Sequence, residues 1–129
     1  MKVLLDTHAF LWWIADDSRL SARARRTVSD ASNAVYFSAV SGWEIAIKAR
    51  LGRLTLASDD IEGFVAEQVA ANAFEVLPVH LHHALKTYAL PDHHKDPFDR
   101  LLIAQASVEE LALVSADPLL ASYTIRIVW

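Results

Sequence analysis

Asp6, Glu44, Asp99 and Asp117 are the residues whose type and placement suggest chemistry. Each follows an apolar run of strand character or opens a helix next to one. Residues 3–5 (VLL) end at Asp6, residues 34–38 (AVYFS) precede the helix that carries Glu44, and residues 111–115 (LALVS) are followed two positions on by Asp117. Asp99 lies in the first turn of the helix that leads into this last run. In an open parallel α/β sheet the functional crevice lies beyond the carboxyl ends of the strands, so the four acids meet there if their elements are neighbours. Like charges gathered at one place raise one another's pKa and destabilise the fold unless a cation neutralises them. All-oxygen ligands suit a hard divalent ion such as Mg²⁺ or Mn²⁺, which keeps several waters and binds substrate phosphate. The chemistry that such a site supports is activation of water for phosphodiester hydrolysis.

Each acid taken singly has a structural reading. Asp96-Pro97 and Asp117-Pro118 both look like a capping aspartate followed by proline at the first helical position. Asp99 then falls where the helix dipole favours an acid. Glu44 has Lys48 four residues on, the preferred order for a helical ion pair. Asp6 could cap the helix after the first strand.

The elements that would position these acids alternate between strand and helix. Helices are expected over residues 9–14, 21–31 from an N-cap serine, 41–51 closed by Gly52, 59–73, 81–89 and from Asp96-Pro97 through Glu110. Strands are expected over 3–5, 34–38, 75–79, 111–115 and 125–129, with a short helical turn after Asp117. That alternation predicts an α/β fold with a mainly parallel central sheet and helices on both faces.

Composition bounds the remaining possibilities. At 129 residues, 53% hydrophobic and 22% charged, with three glycines and four prolines, the chain fits one compact domain over residues 1–129 and disfavours disorder or repeats. The absence of cysteine excludes disulfide frameworks, thiolate metal sites and cysteine nucleophiles. No apolar run reaches the ~18–20 residues of a membrane span, and the opening segment lacks a secretory core, so a cytoplasmic protein without membrane association is expected. A formal charge of −4 would repel a polyanion. Setting aside the four clustered acids leaves 12 acids against 12 Lys and Arg, a neutral body on which local arginines can still meet phosphate.

The segments VLLDTHAFLWW, SAVSGWEIAIKARLGRL, HHKDPFDRLLIAQA and LVSADPLL occur in an order that resembles the PIN domain, specifically the VapC-type toxin ribonucleases of bacterial toxin–antitoxin pairs. The likeness runs from Val3 to Leu120 and is weakest over residues 58–89. It implies a three-layer PIN-like fold and assigns Asp6, Glu44, Asp99 and Asp117, in that order, as the catalytic and metal-binding acids. Asp96, one helical turn before Asp99, is either a cap or an auxiliary ligand. The family implies one or two Mg²⁺ or Mn²⁺ ions and cleavage of RNA, with a tRNA or rRNA loop as the expected target. Asp6, Asp99 and Asp117 would ligate metal, and Glu44 would bind it or orient the attacking water. Products with a 5′-phosphate and a 3′-hydroxyl follow if water is the nucleophile. A cognate antitoxin protein and a homodimer are the expected protein partners.

Other features are weighed beside these. Arg19, Arg23, Arg25 and Arg26 form the densest basic segment, with Lys48, Arg50 and Arg53 a second. Arg23, Arg26 and Lys48 are candidate RNA contacts, against a solvated helix face. Arg100 could neutralise Asp99 or contact the scissile phosphate. His80, His82, His83, His93 and His94 match no zinc spacing and are read as structural or surface residues, and His8 takes a position where the family often has a small polar side chain. Trp12, Trp13 and Trp43 could stack bases but are read as core or interface. Apolar surface at residues 10–14 suits a homodimer or an antitoxin segment. The rival readings are a non-catalytic PIN-like RNA- or protein-binding module and an aspartate-based phosphate-handling α/β domain, such as a receiver or a phosphatase with Asp6 as nucleophile.

Overall fold

The computed structural model describes every residue from Met1 to Trp129. Five strands, β1 (Lys2–Leu5), β2 (Ala34–Ser38), β3 (Glu75–Leu77), β4 (Ala112–Val114) and β5 (Ile127–Val128), pair in parallel in the order β3-β2-β1-β4-β5. The chain steps outward from β1 to β2 to β3, then crosses back to lay β4 on the other side of β1. The strand order therefore reverses between β1 and β4, and the crevice of such a sheet opens beyond their carboxyl ends.

Helices α1 (Thr7–Ile14), α2 (Ala22–Ser29), α3 (Ala39–Arg50), α4 (Ile61–Ala71), α5 (Leu81–Lys86) and α6 (Pro97–Glu109) complete the three layers. Side chains alternate across the strands, so each strand feeds two cores. Val3 and Leu5 of β1, with Val35, Phe37, Ala112 and Val114, pack under Phe10, Ala24, Val28 and Val69 from α1, α2 and α4. Leu4 and Leu113 face the other way, onto Leu102, Ile103 and Ala106 of α6. Near-continuous apolar strands are what burial on both faces requires. Phe10 is fully buried with its ring 4.4 Å from that of Phe37, and removing such a ring from water contributes about 1.5–3 kcal/mol.

Helix boundaries follow from local capping. The α1 helix begins at Thr7, two residues before the sequence expectation, because the Asp6 carboxylate accepts from the Ala9 N–H. The α3 helix begins at Ala39 rather than Ser41, because the Ser38 hydroxyl caps Val40. It ends at Gly52, whose φ of 72° lets the Gly52 and Arg53 N–H groups bond back to Ala49 and Lys48. The α4 helix closes the same way at Ala73, φ 55°, with Phe74 bonding back to Val69. Helix 81–89 divides into α5 and a 3-10 turn, Thr87–Ala89.

The last three strands are shorter than expected, β3 ending at Leu77. Leu111 spends its N–H on Ala106 to close α6, and Ser115 already turns toward Asp117, whose N–H it accepts at 3.1 Å. No helix is long and apolar enough to cross a membrane.

Candidate active site

Asp6 stands where β1 ends. Its N–H donates to Val114 O at 3.0 Å, tying the ends of β1 and β4 together, and its Oδ1 accepts from Ala9 N at 2.7 Å. Burial pushes the Asp6 carboxyl up from its ordinary value, and Glu44 adds to the rise; hydrogen bonds from Ser115 and Ala9, and the charge of His8, oppose it.

Glu44 projects from the second turn of α3 toward the start of α1. Thr7 Oγ1 donates to Glu44 Oε1 at 2.6 Å, Ser41 Oγ lies 3.0 Å from the same Thr7 oxygen, and Lys48 Nζ holds Oε2 at 2.5 Å. Thr7, Ser41 and Glu44 are all buried. The helical Glu44–Lys48 pair expected from the sequence is present.

Asp96 caps α6 by accepting from the Phe98 and Asp99 N–H groups with one oxygen, and Pro97 supplies the first helical position. Asp99 is thereby fixed in the first turn. Its carboxyl is pushed up to about 7, chiefly by burial and then by Asp96, with Asp6 and Glu44 adding and His94 opposing. The charges of Asp6, at the end of β1, and of Glu44, on α3, thus reach Asp99 at the start of α6.

Asp117 caps the 3-10 turn Pro118–Ser122 through Oδ1, which accepts from Leu119 N at 2.9 Å. Its other oxygen, Oδ2, meets His94 Nε2 at 2.8 Å, and the same nitrogen lies 3.1 Å from Asp99 Oδ2. Ligating atoms of His94, Asp99 and Asp117 all lie within 4.8 Å of one another. Capping and site geometry coexist in Asp117, because a carboxylate has two oxygens and the cap uses one.

Several sequence expectations are corrected. Arg100 does not reach Asp99. Its guanidinium donates to the carbonyls of Thr87, Leu90, Pro91 and His94 at 2.9–3.4 Å, and it lies 3.8 Å from Asp92. Four of its five N–H donors are directed at these carbonyls before α6, so the guanidinium is engaged in holding the loop rather than in neutralising Asp99. His94, grouped in sequence with surface histidines, lies between two of the four acids; its signal was its place two residues before a capping aspartate. His83 is a core residue, bonded to Glu109 at 2.9 Å and to the His80 N–H. Phe10 is wholly buried and adds nothing to an apolar surface. Trp43 is no core residue: it is 61% exposed, edge-on to Phe98 beside Asp99. Arg23 and Arg26 are exposed, whereas Arg19 and Arg25 pair with Asp17 and Asp16.

The PIN domain model matches residues 3–124 of this sequence. The chain belongs to the PIN domain family. Within that family it is 32% identical over 122 residues to Ribonuclease VapC22 of Mycobacterium tuberculosis, covering 94% of this chain and 91% of that protein, which places it among the VapC-type PIN domains. Solved structures with the same fold include VapBC2 from Rickettsia felis bound to a promoter DNA fragment, with a TM-score of 0.71 at 11% identity over 98% of this chain and 97% of that one. VapBC-1 from nontypeable Haemophilus influenzae gives 0.63 at 15% identity over 98% and 96%. VapBC-5 of Mycobacterium tuberculosis, from the VapBC family of toxin–antitoxin systems, gives 0.59 at 20% identity over the same shares. With the PIN family established, the receiver and phosphatase readings fall away.

Proposed function

We infer that this PIN domain is an endoribonuclease that hydrolyses RNA phosphodiester bonds and serves as the toxin of a toxin–antitoxin pair. The observation that supports this reading is the meeting of Asp99 and Asp117 at His94, with Asp6 and Glu44 near enough to push the Asp99 carboxyl up, in a chain 32% identical to a VapC ribonuclease. Asp6, Asp99 and Asp117 are the residues that would hold one or two Mg²⁺ or Mn²⁺ ions, with Glu44 beside them and Asp96 auxiliary. The donor set fits: it is mostly carboxylate oxygen, gathered where burial and the neighbouring acids push the Asp99 carboxyl up to about 7. A divalent ion there supplies charge stabilisation at the phosphate and a water more acidic than bulk.

The chain's own residues do the positioning. Caps fix Asp6 and Asp117 through Oδ1. Thr7 aims Glu44 Oε1, and Lys48 holds Oε2, a fixed carboxylate that supports Glu44 as the group that orients an attacking water. Water as nucleophile gives a 5′-phosphate and a 3′-hydroxyl.

Arg23 and Arg26, exposed on α2, are the candidate phosphate contacts, with Lys48 beside Glu44, on a cytoplasmic tRNA or rRNA loop. Leu11, Trp12 and Ile14 line a groove rimmed by Arg19, Lys48 and Arg53, and its apolar floor supports a cognate antitoxin segment as occupant. Leu81, Leu85 and Tyr88 are exposed at 74%, 65% and 96%. Their i, i+4, i+7 spacing makes one apolar stripe, which supports a homodimer contact. Residues 1–129 act as one nuclease domain on this reading.

The test is incubation of the partner-free protein with total RNA, with and without Mn²⁺, followed by mapping of 5′ ends. Discrete cuts bearing 5′-phosphates only with Mn²⁺ are expected. Absence of any metal-dependent cut would overturn the reading in favour of a non-catalytic module.

A further inference from the structure

His94 is the group at this site whose hydrogen bonds determine its role. Its ring is 11% exposed, and both nitrogens are engaged. Nδ1 faces the backbone N–H of Asp96 at 3.1 Å. A backbone N–H only donates, so Nδ1 must be the bare nitrogen; a proton there would set two N–H groups against each other. The proton of the neutral ring is therefore on Nε2, which lies 2.8 Å from Asp117 Oδ2 and 3.1 Å from Asp99 Oδ2. The N–H thus donates to Asp117, in the turn after β4, while Asp99, at the start of α6, lies in charge contact with the same nitrogen but outside hydrogen-bond geometry.

We propose that His94 is a positioning residue of the acid site, an Nε2–H donor that sets the Asp117 carboxylate beside Asp99 for a divalent cation without itself being a ligand. Ligation through Nε2 would need its lone pair, and hence the proton on Nδ1, which the Asp96 N–H forbids. Asp117 Oδ2 has a second lone pair, and the ring donates no hydrogen bond to Asp99, so a cation can be bound while the His94–Asp117 hydrogen bond persists. Donors behind metal-binding side chains act in this way, fixing orientation.

The surrounding loop is built to hold the ring. His94 N donates to Tyr123 Oη at 2.9 Å, and Tyr123 Oη donates in turn to Pro91 O at 2.9 Å. Arg100 gathers the carbonyls of Thr87, Leu90, Pro91 and His94. Residues 91–95, polar and without regular structure, are thereby pinned from two sides, and what they present to the acids is the His94 ring. Arg100 and Tyr123 act on the site only through this loop.

The proposal rests on the metal-dependent reading above, and its test separates the two. In protein labelled with ¹⁵N-histidine, long-range ¹H–¹⁵N spectra report the proton position in the His94 ring directly. The expected pattern is a protonated Nε2 and a bare Nδ1, unchanged when Mg²⁺ is added. A bare Nε2 in the metal-free protein, or loss of its proton on adding Mg²⁺, would overturn the proposal. Mg²⁺ affinity by calorimetry should fall about 10–100-fold in His94→Ala and return to within several-fold of wild type in His94→Gln, whose amide can donate at similar reach. Equal Mg²⁺ affinity in wild type and His94→Ala would also overturn it. If wild-type protein takes up no Mg²⁺ or Mn²⁺, the metal-dependent reading fails, and the Nε2–H donation to Asp117 is then decided by the spectra alone.

Discussion

Thr7 Oγ1 donates to Glu44 Oε1 at 2.6 Å, joining the first residue of α1 to the second turn of α3 across 37 positions of sequence. Both side chains are buried, so this hydrogen bond sets the direction in which Glu44 faces the acids of β1 and α6. Thr7→Val keeps the shape and deletes the donor, leaving a buried carboxylate oxygen without a partner, at a cost of about 1–3 kcal/mol. The expected outcome is a lower melting temperature and reduced RNA cleavage, with Thr7→Ser restoring both. Equal cleavage by Thr7→Val and wild type would show that the orientation of Glu44 is immaterial.

Stability without divalent ions should decline as pH rises. The Asp99 carboxyl, ordinarily at 3.8, is pushed up to about 7 in the fold. Between those values the native state holds a proton that the unfolded chain has released, so the contribution is full below about pH 4 and lost as pH passes about 7. The raised Asp6 carboxyl has the same sign. A shift of this size corresponds to at most about 4 kcal/mol. Thermal melts across this range should show the fall, Asp99→Asn should flatten it, and Mg²⁺ should raise the melting temperature most at the alkaline end. A wild-type profile that rises from pH 4 to 7 would contradict the assignment.

The fold was legible because its signals are local. Apolar runs bounded by Asp6, by Ser38 and by the Asp117-Pro118 pair set the order of strands and helices, and capping aspartates set helix starts. Strand lengths were less legible, since Leu111 and Ser115 are apolar or small yet spend their hydrogen bonds on neighbouring turns. The positions of the four acids could be read because each follows a strand or opens a helix. His94 could not be placed, because its role depends on a bend that brings residues 94, 99 and 117 together, and no spacing encodes that. Arg100 misled for the opposite reason: adjacency to Asp99 suggested pairing, but successive helical residues point about 100° apart, and its side chain turns to the loop.

Arg100→Ala should loosen residues 91–95. Four carbonyls lose a charged donor, and hydrogen bonds to charged groups contribute about 1.5–3 kcal/mol. The expected result is a lower melting temperature, faster amide exchange at His94, and cleavage reduced without loss of RNA binding. Retention of wild-type exchange at His94 would show that the loop is held without this guanidinium.

The stripe of Leu81, Leu85 and Tyr88 should carry self-association. Leu85→Asp together with Tyr88→Asp places two charges on it. Light scattering is expected to give a dimer for wild type and a monomer for the double variant, with the fold unchanged by circular dichroism. A wild-type monomer, or a dimer that survives both substitutions, would remove the stripe from the interface.

The decisive comparison is RNA cleavage by Asp6→Asn and Asp99→Asn beside wild type, with Mn²⁺ present and the fold of each checked by thermal melting. Both substitutions keep side-chain shape and remove a charge from a crowded acid site, so the variants should be at least as stable as wild type without metal at neutral pH. Cleavage should fall by at least about 100-fold in each, more than is lost when only a group behind a ligand is changed. Folded variants that cut RNA at the wild-type rate would contradict the assignment of these acids as the catalytic site.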